Sequence, residues 1–339
     1  MLGLFTPGDS LRVYRLQRKG VSLALRRALM QPHTPLWEAW LAFLTQQAMG
    51  QPTYVLYDPH DGEAFVQICY RPHQAAADVT YVAPALSEDR RQANAWSRLL
   101  DGACTEAAGR GIQRVFANLP DSGPEVDIFQ QSGFAVYSGE DIYRLDGPLS
   151  PVPKAKVPAL RPQRPEDWPA IQKLCLAITP QRVRQAEGGI PINIRGEQSH
   201  RRYVLAEGEK DEPLALVDLC AGPLAHWLHI WVHPEARDVA AALVRWGVGA
   251  LDDRSGRPVY CDVRPYEGGI RTALEEAGFE LYARRALLVR HTLAWVRVPA
   301  VEMAPALPSG AEAAPPAYSI NGEPELQPSN GQLAVTREG

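Results

Sequence analysis

Cysteine is scarce in this chain and shows no grouping. Only five of the 339 residues are cysteine, an odd number, and no two of them form a Cys-x-x-Cys pair. This argues against a disulfide framework and gives no thiolate metal site, so reduced, buried thiols in an intracellular protein are expected. The five positions are Cys69, Cys104, Cys175, Cys220 and Cys261.

An excess of positive charge and a long apolar run are also missing. The 35 Lys and Arg residues are outnumbered by 39 Asp and Glu, and the formal charge of −4 provides no basic field for nucleic acid. No apolar run approaches the roughly 20 residues that cross a bilayer. Arg12, Arg15 and Arg18 would interrupt the core of a signal peptide. We therefore expect a cytoplasmic monomer or homodimer with no nucleic-acid partner and no membrane partner.

What the chain does contain is typical of a globular protein with more than one domain. Hydrophobic residues make up 45% and charged residues 22%, which are ordinary values, and the length exceeds one average domain. Residues 147–157 have the Pro, Ser and Lys content of a linker. From residue 299 to 339 Pro, Ala, Glu, Ser and Gly dominate, which predicts a disordered tail that buries too little apolar surface to fold.

The stretch from His226 to Leu251 predicts a strand followed by a helix. Residues His226–Val232 favour a strand, and Pro234 ends it and suits the first turn of a helix. Spacings of four, three and four then indicate a helix with one buried face, formed by Val239, Leu243, Trp246 and Ala250. The first turn carries small side chains beside free backbone N–H groups, an arrangement that binds anions such as phosphate.

The same unit occurs earlier in the chain, which indicates an internal repeat. A strand at Val79–Val82 precedes Pro84, and the spacing of the following helix is repeated by Trp96, Leu100, Ala103 and Ala107. Two more pairs of segments match: Ile128–Phe134 with Ala273–Phe279, and Val115–Asn118 with Val259–Asp262. The offset of 144 to 150 residues predicts two α/β domains. We place them at residues 1–146, the first half, and 158–298, the second half.

The order of the predicted elements resembles that of the GNAT acyltransferase superfamily. That order is a strand, here residues 11–18, then two helices, three strands, a helix, a strand, a helix and closing strands. Leu160-Arg161-Pro162 followed by Pro165-Glu166-Asp167-Trp168 is similar to a GNAT opening. The resemblance covers almost all of residues 11–298, twice. It implies an α/β fold with a mixed α+β sheet and two tandem GNAT-like acyl-CoA N-acyltransferase domains.

The resemblance also implies an acetyl-CoA site in the second half. In this family the helix after the fourth strand begins Arg/Gln-x-x-Gly-x-Gly/Ala, and its backbone amides hold the pyrophosphate. Arg237, Ala240 and Ala242 match that pattern, with Ala in place of the first Gly. The implied contacts are Trp231, Val232, Arg237, Asp238, Val239, Ala240, Ala241 and Ala242. The plainer interpretation of the alanines is helix formation, since Ala is the best helix former.

The matching loop of the first half is crowded. Counting back from Leu99-Leu100 places Arg91, Asn94 and Trp96 there, and the last two are bulky where small residues are needed. We therefore expect CoA to bind the second half and not the first.

A tyrosine that often protonates the leaving thiolate in this family is missing from both halves. Phe129 and Leu274 occupy its positions, and neither side chain transfers a proton. Tyr260 and Tyr266 are near in the sequence, and we name Tyr266 as the candidate substitute. The alternative is that both tyrosines pack in the interior or line a rim.

Several side chains are candidate bases for the amine. His229 titrates near neutral pH, His226 is an alternative, and Asp218 and Asp262 lie at or near predicted strand ends. We name His229 and Asp218, although each is more often structural than catalytic, because geometry decides the role. No metal site is predicted at His226, His229 and His233, since alternation along a strand places His226 on the opposite face from the other two.

Two functions follow from these patterns. The first is transfer of an acetyl or other acyl group from acetyl-CoA to an amine of a small molecule or peptide. The reaction would occur in the second half, with backbone amides near Val232 stabilising the oxyanion. The alternative is a non-catalytic GNAT-like protein that binds CoA as a sensor or serves as an interaction module. The missing tyrosine and the crowded first-half loop favour the alternative, and fold by itself does not decide function.

Overall fold

A computed structural model of the chain describes residues 2–292, except residues 33, 61, 73, 88–89, 147–159, 190–199, 208–211 and 252–255. The predicted linker at residues 147–157 and the predicted tail at residues 299–339 lie outside the described residues. The described part contains 13 strands and nine α-helices, which we number along the chain. The predicted α/β class with a mixed sheet is confirmed, because the sheet contains both parallel and antiparallel pairs.

The first half contains five helices and seven strands. Its helices are α1 (Ser10–Leu16), α2 (Leu25–Met30), α3 (Pro35–Leu44), α4 (Arg90–Gly109) and α5 (Pro124–Gln131). Its strands are β1 (Leu2–Leu4), β2 (Val21–Ser22), β3 (Thr53–Asp58), β4 (Gly62–Tyr70), β5 (Ala76–Ala83), β6 (Arg114–Pro120) and β7 (Ala135–Leu145). The strands β3 and β4 form a hairpin, since they pair antiparallel from Thr53–Gln67 to Asp58–Gly62.

The second half repeats this content with four helices and six strands. Its helices are α6 (Trp168–Ile178), α7 (Gln181–Glu187), α8 (Ala240–Leu251) and α9 (Ile270–Glu276). Its strands are β8 (Leu160–Pro162), β9 (His200–Glu207), β10 (Glu212–Ala221), β11 (His226–Val232), β12 (Val259–Val263) and β13 (Glu280–His291). The C-cap of helix α7 is Gly188, which adopts the left-handed conformation with φ 72°.

The strands form one continuous sheet in which the two halves mirror each other. Its order is β1-β3-β4-β5-β6-β13-β7-β12-β11-β10-β9-β8, and β2 pairs with β5 off this path. Counted inward from either edge, the first five strands of each half follow the same order along the chain. The predicted repeat is therefore confirmed as a tandem fold.

The last strand of each half is exchanged. β13 of the second half pairs with β6 of the first, and β7 of the first half pairs with β12 of the second. β7 and β13 also pair with each other at the centre of the sheet, where Glu140 lies opposite Arg285. Because each half completes its sheet with a strand of the other, residues Met1–Trp295 form one compact unit. The domain limits at 1–146 and 158–298 stay a prediction.

The segment predicted as the first strand, residues 11–18, lies largely in helix α1, so that prediction is wrong. The helix follows a capping arrangement in which the Asp9 carboxylate accepts hydrogen bonds from the backbone N–H and the hydroxyl of Thr6. Val13 is fully buried and Leu16 packs in the same cluster. This spacing of three residues suits one face of a helix. The sequence predicts a strand here because the apolar residues of the segment also alternate in part.

The helix predicted after Pro234 begins later than the sequence indicates. Residues Pro234–Val239 form 3-10 turns, in which Ala236 departs from helical geometry with φ −112° and ψ 27°. The α-helix α8 begins at Ala240. Arg237 and Asp238, which the sequence places in the first turn of an α-helix, therefore precede it.

Each half also covers part of the other half's sheet. α8 packs on one face of the second-half sheet, with Leu243 against Leu228 in the main core of this half. On the opposite face, Met30 of the first-half helix α2 packs in one cluster with Trp227 of β11. In return, Ala186 of α7 packs against residues of β5, β6 and β13. The face that carries Trp227 is thus shared between the halves.

Candidate active site

A gap opens between two parallel strands of the second half. β11 and β12 pair only from His226–Val259 to Leu228–Cys261, although both strands continue beyond that point. His229 and Asp262 are the residues that follow the last pair. Their side chains meet on the face that α2 covers, where the strands have begun to separate.

Three buried ionisable side chains meet at this gap. The Nδ1 atom of His229 lies 2.7 Å from Oδ2 of Asp262, and the other carboxylate oxygen accepts a hydrogen bond of 2.5 Å from Nε1 of Trp227. Nε2 of His229 lies 3.4 Å from Oε1 of Glu267, and it makes no hydrogen bond with a described residue. The side chains of His229 and Glu267 are 8% and 3% exposed, so this buried nitrogen has an ion-pair contact but no hydrogen-bond partner among the described residues.

The surrounding carboxylates decide the charge of His229. Burial lowers the pKa of the imidazole, but the charges of Asp262 and Glu267 outweigh burial and raise it to about 10. Burial raises the pKa of the Asp262 carboxyl, but the imidazolium beside it lowers that pKa below its usual range. His229 therefore carries a proton at neutral pH, which argues against the role of base that the sequence suggests and makes Nε2 a proton donor.

The Asp262→Asn variant is expected to lower the pKa of His229 below about 10, because it removes the largest charge that stabilises the imidazolium. Asparagine retains an oxygen that accepts the hydrogen bond of Trp227. NMR titration of the His229 ring nitrogens measures the shift. The Asp146→Asn variant is the control, since Asp146 is exposed and pairs with Arg144. An unchanged His229 titration in Asp262→Asn would show that another group holds the proton.

Asp218, the second candidate base, belongs to a separate cluster. It lies opposite His229 in the pairing of β10 with β11. Its carboxylate oxygens lie 2.7 and 2.8 Å from Nδ1 of His200, and Nε of Arg202 is 3.6 Å from one of them. No hydrogen bond or ion pair among the described residues joins the Asp218 and His229 side chains. Asp218 therefore interacts with side chains of the neighbouring strand β9 and is not bonded to those at the gap.

Tyr266, the candidate acid, is connected to the gap through an arginine. Its hydroxyl accepts a hydrogen bond of 3.1 Å from Nη1 of Arg264. The same nitrogen donates a hydrogen bond of 2.6 Å to Oε1 of Glu187. The backbone N–H of Arg264 donates to Glu267 at 2.8 Å. Burial raises the pKa of Tyr266, so the phenol keeps its proton. No described contact joins it to His229, so it supports the network from its edge.

The sequence analysis missed several members of this network. Glu267, Arg264 and Glu187 are not singled out by any local pattern, and Glu187 is 77 residues from the arginine that it pairs with. Tyr137 of the exchanged strand β7 donates a further hydrogen bond of 3.0 Å to Glu187. Tyr260 stacks on Trp227 with ring centroids 5.8 Å apart, which makes it a packing residue.

The proposed CoA contacts lie along the end of β11 and the turn after it. The Trp231 ring packs against the His229 ring with centroids 3.8 Å apart, and Val232 is buried at the end of the strand. Arg237 and Asp238 are exposed on the 3-10 turn, and Val239 packs at the edge of the core. A Cβ at Gly268 would lie 3.3 Å from Cζ of Arg237, so this arginine crosses the turn before α9.

Burial aligns α8 with α4 at one constant offset of 144. Apart from Ala95, the buried residues of α4 match those of α8 one for one. They are Trp96, Leu99, Leu100, Ala103, Cys104 and Ala107 in α4, and Ala240, Leu243, Val244, Gly247, Val248 and Leu251 in α8. The counterpart of Trp96 is thus Ala240, whereas the sequence comparison places it at Ala242. Ala240 is 2% exposed, while Ala241 and Ala242 are half-buried.

The indole of Trp96 fills the corresponding space in the first half. It is fully buried, and its Nε1 donates a hydrogen bond of 2.8 Å to the carbonyl of Pro84, between the end of β5 and helix α4. Strand pairing places Thr80 where the second half has His229, and Asn118 takes the place of Asp262. The first half therefore lacks both the space and the charged pair.

The two halves differ in side-chain size at the start of this helix. Ala240 is buried and Ala241 and Ala242 are half-buried, so no bulky side chain stands there in the second half, and the exposed side chain of Arg237 lies on the turn before it. The unpartnered Nε2 of His229 provides a proton donor at the gap. Among the described residues, no helix has the length and apolar character to cross a membrane, and no His, Cys, Asp and Glu cluster is arranged for a metal ion.

No protein-family model and no curated protein sequence match the chain, but solved structures do. It is similar to a GCN5-related N-acetyltransferase from Sphaerobacter thermophilus, with 16% identity over 86% of this chain and 95% of the other and a TM-score of 0.54. A tandem GNAT protein from the clavulanic acid biosynthesis pathway has 13% identity over 86% of this chain and 98% of its own, with a TM-score of 0.49. A GNAT-family acetyltransferase from Colwellia psychrerythraea has 12% identity over 86% and 99%, with a TM-score of 0.42. The first similarity, with a TM-score of 0.54, shows that the two chains share a fold.

Proposed function

We propose that this chain, which has the fold of the GNAT N-acetyltransferases, transfers an acyl group from acetyl-CoA to an amine of a small molecule or peptide. The reaction would take place in the second half, at the gap between β11 and β12. The observation that carries the proposal is the buried, protonated His229 at that gap, whose Nε2 has no hydrogen-bond partner among the described residues.

The side chains at the gap have different roles in the proposed reaction. Nε2 of His229 gives its proton to the departing thiolate, which is the task of the missing tyrosine in the family that the sequence resembles. Asp262 orients the ring through Nδ1, and Glu267 helps to keep the imidazole protonated. Acetyl-CoA, when bound, supplies the activated acyl group. Asp218 and Tyr266 have structural tasks in this proposal.

The proposal is tested with the full-length protein by two measurements. The first is calorimetric titration with CoA, and the second is the release of free thiol from acetyl-CoA in the presence of a panel of amines. Binding of CoA together with amine-dependent thiol release supports the proposal. Absence of binding in calorimetry and in an independent assay contradicts it. Binding without turnover on any amine of the panel favours a CoA sensor instead.

The Arg237→Glu variant is expected to weaken CoA binding by about tenfold, because it replaces a cation beside the 3-10 turn with an anion that repels the phosphates. An exposed ion pair is worth ~0–1 kcal/mol, and the added repulsion brings the change to about 1.4 kcal/mol. Calorimetry measures the affinity. The matched control is Arg245→Glu, the same charge change at an exposed position on α8. Equal losses in both variants would mean that net charge, and not this turn, governs binding.

A further inference from the structure

A polar cleft lies at the junction of the halves, on the face that carries His229. Four strands contribute to it: Asn118 on β6, Glu140 on β7, Asp262 on β12 and Arg285 on β13. Arg285 is buried, whereas Asn118, Glu140 and Asp262 keep intermediate exposure. Arg285 lies deepest in this polar cleft, and the other three side chains are partly exposed around it.

Glu140 faces the same side of the sheet as the His229 site. Two residues after it on β7, Ile142 packs in the cluster that contains Trp227 and Met30. Alternate residues of a strand share a face, so Glu140 also points to the α2 side. Trp227 donates its indole hydrogen bond to Asp262, which places the carboxylate partner of His229 on this face. Glu140 belongs to the first half and reaches the cleft only because β7 is exchanged.

The Glu140 carboxylate is held by one of its two oxygens. Oε2 accepts a hydrogen bond of 3.0 Å from Nδ2 of Asn118. Nε of Arg285 donates a hydrogen bond of 2.6 Å to Oδ1 of the same asparagine, and another guanidinium nitrogen donates to its backbone carbonyl. The amide is therefore fixed with its donor towards Glu140. Oε1 of Glu140 makes no hydrogen bond with a described residue, so it is available to a group in the cleft.

Burial and the charges around Glu140 bring the pKa of its carboxyl near neutral pH. Burial raises its pKa most, and the charge of Asp262 raises it further, to about 7. Arg264 and His229 oppose this shift, as does the hydrogen bond from Asn118. The guanidinium of Arg285 also faces the carboxylate. Glu140 is therefore able to accept a proton near neutral pH, unlike His229.

We propose that Glu140 accepts the proton of the attacking amine, so that the first half supplies the base and the second half supplies the acid. This rests on the proposed acyl transfer. The amine nitrogen attacks the thioester carbon, and a C–N bond forms as the C–S bond breaks. The proton lost by nitrogen goes to Oε1 of Glu140, and the thiolate takes the proton of His229 Nε2. Glu140 then releases the proton that it accepted, and His229 takes up a proton, so that both side chains return to their starting state.

The test is the pH dependence of kcat/KM for the full-length protein with an amine that it acetylates. The wild type is expected to gain activity as pH rises through about 7, where Glu140 ionises, and to lose it as pH rises through about 10, where His229 loses its proton. Glu140→Gln keeps an acceptor for Asn118 but cannot take a proton. We expect this variant to lower kcat at least about 100-fold and to abolish the rise in kcat/KM at the acidic side of the pH profile, its lower limb. Glu140→Asp is expected to restore part of kcat and part of this lower limb.

The matched control is Asp141→Asn, which changes the neighbouring residue of the same strand. Asp141 pairs with Arg271, and alternation places it on the opposite face. We expect this variant to keep its rate within about twofold and to keep the lower limb.

The outcomes separate this inference from the function. A wild type without turnover on any amine overturns both. An active wild type with an unchanged lower limb and rate in Glu140→Gln overturns the role of Glu140 and leaves acyl transfer intact. A rise in KM with unchanged kcat also overturns it, because Glu140 would then only attract the amine. Thermal unfolding of each variant shows whether the fold is retained.

Discussion

The His229→Gln variant is expected to lower kcat for thiol release from acetyl-CoA by about 10²–10⁴-fold, the usual effect of removing a general acid or base. Glutamine has a similar volume and is able to donate a hydrogen bond to Asp262, so the site keeps its packing. It has no proton to give to the thiolate. Because His229 lies at the reacting end of the gap, the affinity for CoA is expected to change little. Initial rates and calorimetry on the same preparation measure both quantities.

The matched control is His226→Gln, which makes the same change three residues earlier on β11. His226 is buried, and its odd separation from His229 places it on the opposite face of the strand. Its rate is expected to stay within about twofold of the wild type. If His226→Gln loses as much activity as His229→Gln, the effect belongs to the packing of β11 and not to a proton transfer. Full activity in His229→Gln would remove the acid from the proposed mechanism.

The Trp96→Ala variant is expected to lower the free energy of unfolding by about 3–5 kcal/mol, the usual cost of truncating a buried tryptophan. The indole is fully buried, packs edge-to-face on Phe129 with centroids 6.2 Å apart, and satisfies the carbonyl of Pro84. Truncation leaves a cavity and an unpaired buried acceptor. Denaturant unfolding measures the loss. Well below the transition, CoA affinity is expected to stay within about twofold, because the proposed site lies in the other half.

Trp37→Ala is the control for this prediction, because the Trp37 side chain is 65% exposed on α3. An exposed substitution of this kind usually changes stability by less than about 0.5 kcal/mol. A stability loss in Trp37→Ala equal to that in Trp96→Ala would mean that the face around Trp37 is covered in solution. Loss of CoA binding in a folded Trp96→Ala protein would contradict the assignment of the site to the second half.

The repeat and its fold class were readable from the sequence because both depend on local pattern. The strand His226–Val232 and the helix stripe have counterparts in the first half, and burial confirms a buried stripe through Leu243, which aligns with Leu99, one residue before the predicted Leu100. The bulk of Trp96 was also visible in the sequence. Its pairing with Ala240 was not, because the loops before the two helices differ in length and only burial fixes the register.

A short segment does not distinguish a strand from a helix when its apolar residues fit the period of both. The segment 11–18 contains both a partial alternation and the spacing of three between Val13 and Leu16, and in the structure that spacing forms the buried face of α1, directly after the turn capped by Thr6 and Asp9. The turn after Pro234 is similar, since proline suits both 3-10 and α geometry at a first position. Such a choice depends on the packing of the following residues, which a window of ten residues does not contain.

The sequence by itself determined the tandem α/β architecture, the strand His226–Val232, and the small residues at the start of the helix that follows it. Only the tertiary structure decided which strand completes each sheet, because β7 and β13 have similar patterns and pairing depends on which edge is open. It also decided the chemistry of His229. A histidine between Asp262 and Glu267 in a buried gap holds its proton, whereas the same residue in water titrates near neutrality. Those carboxylates lie more than 30 residues away in the chain, and folding alone brings their charges to the imidazole.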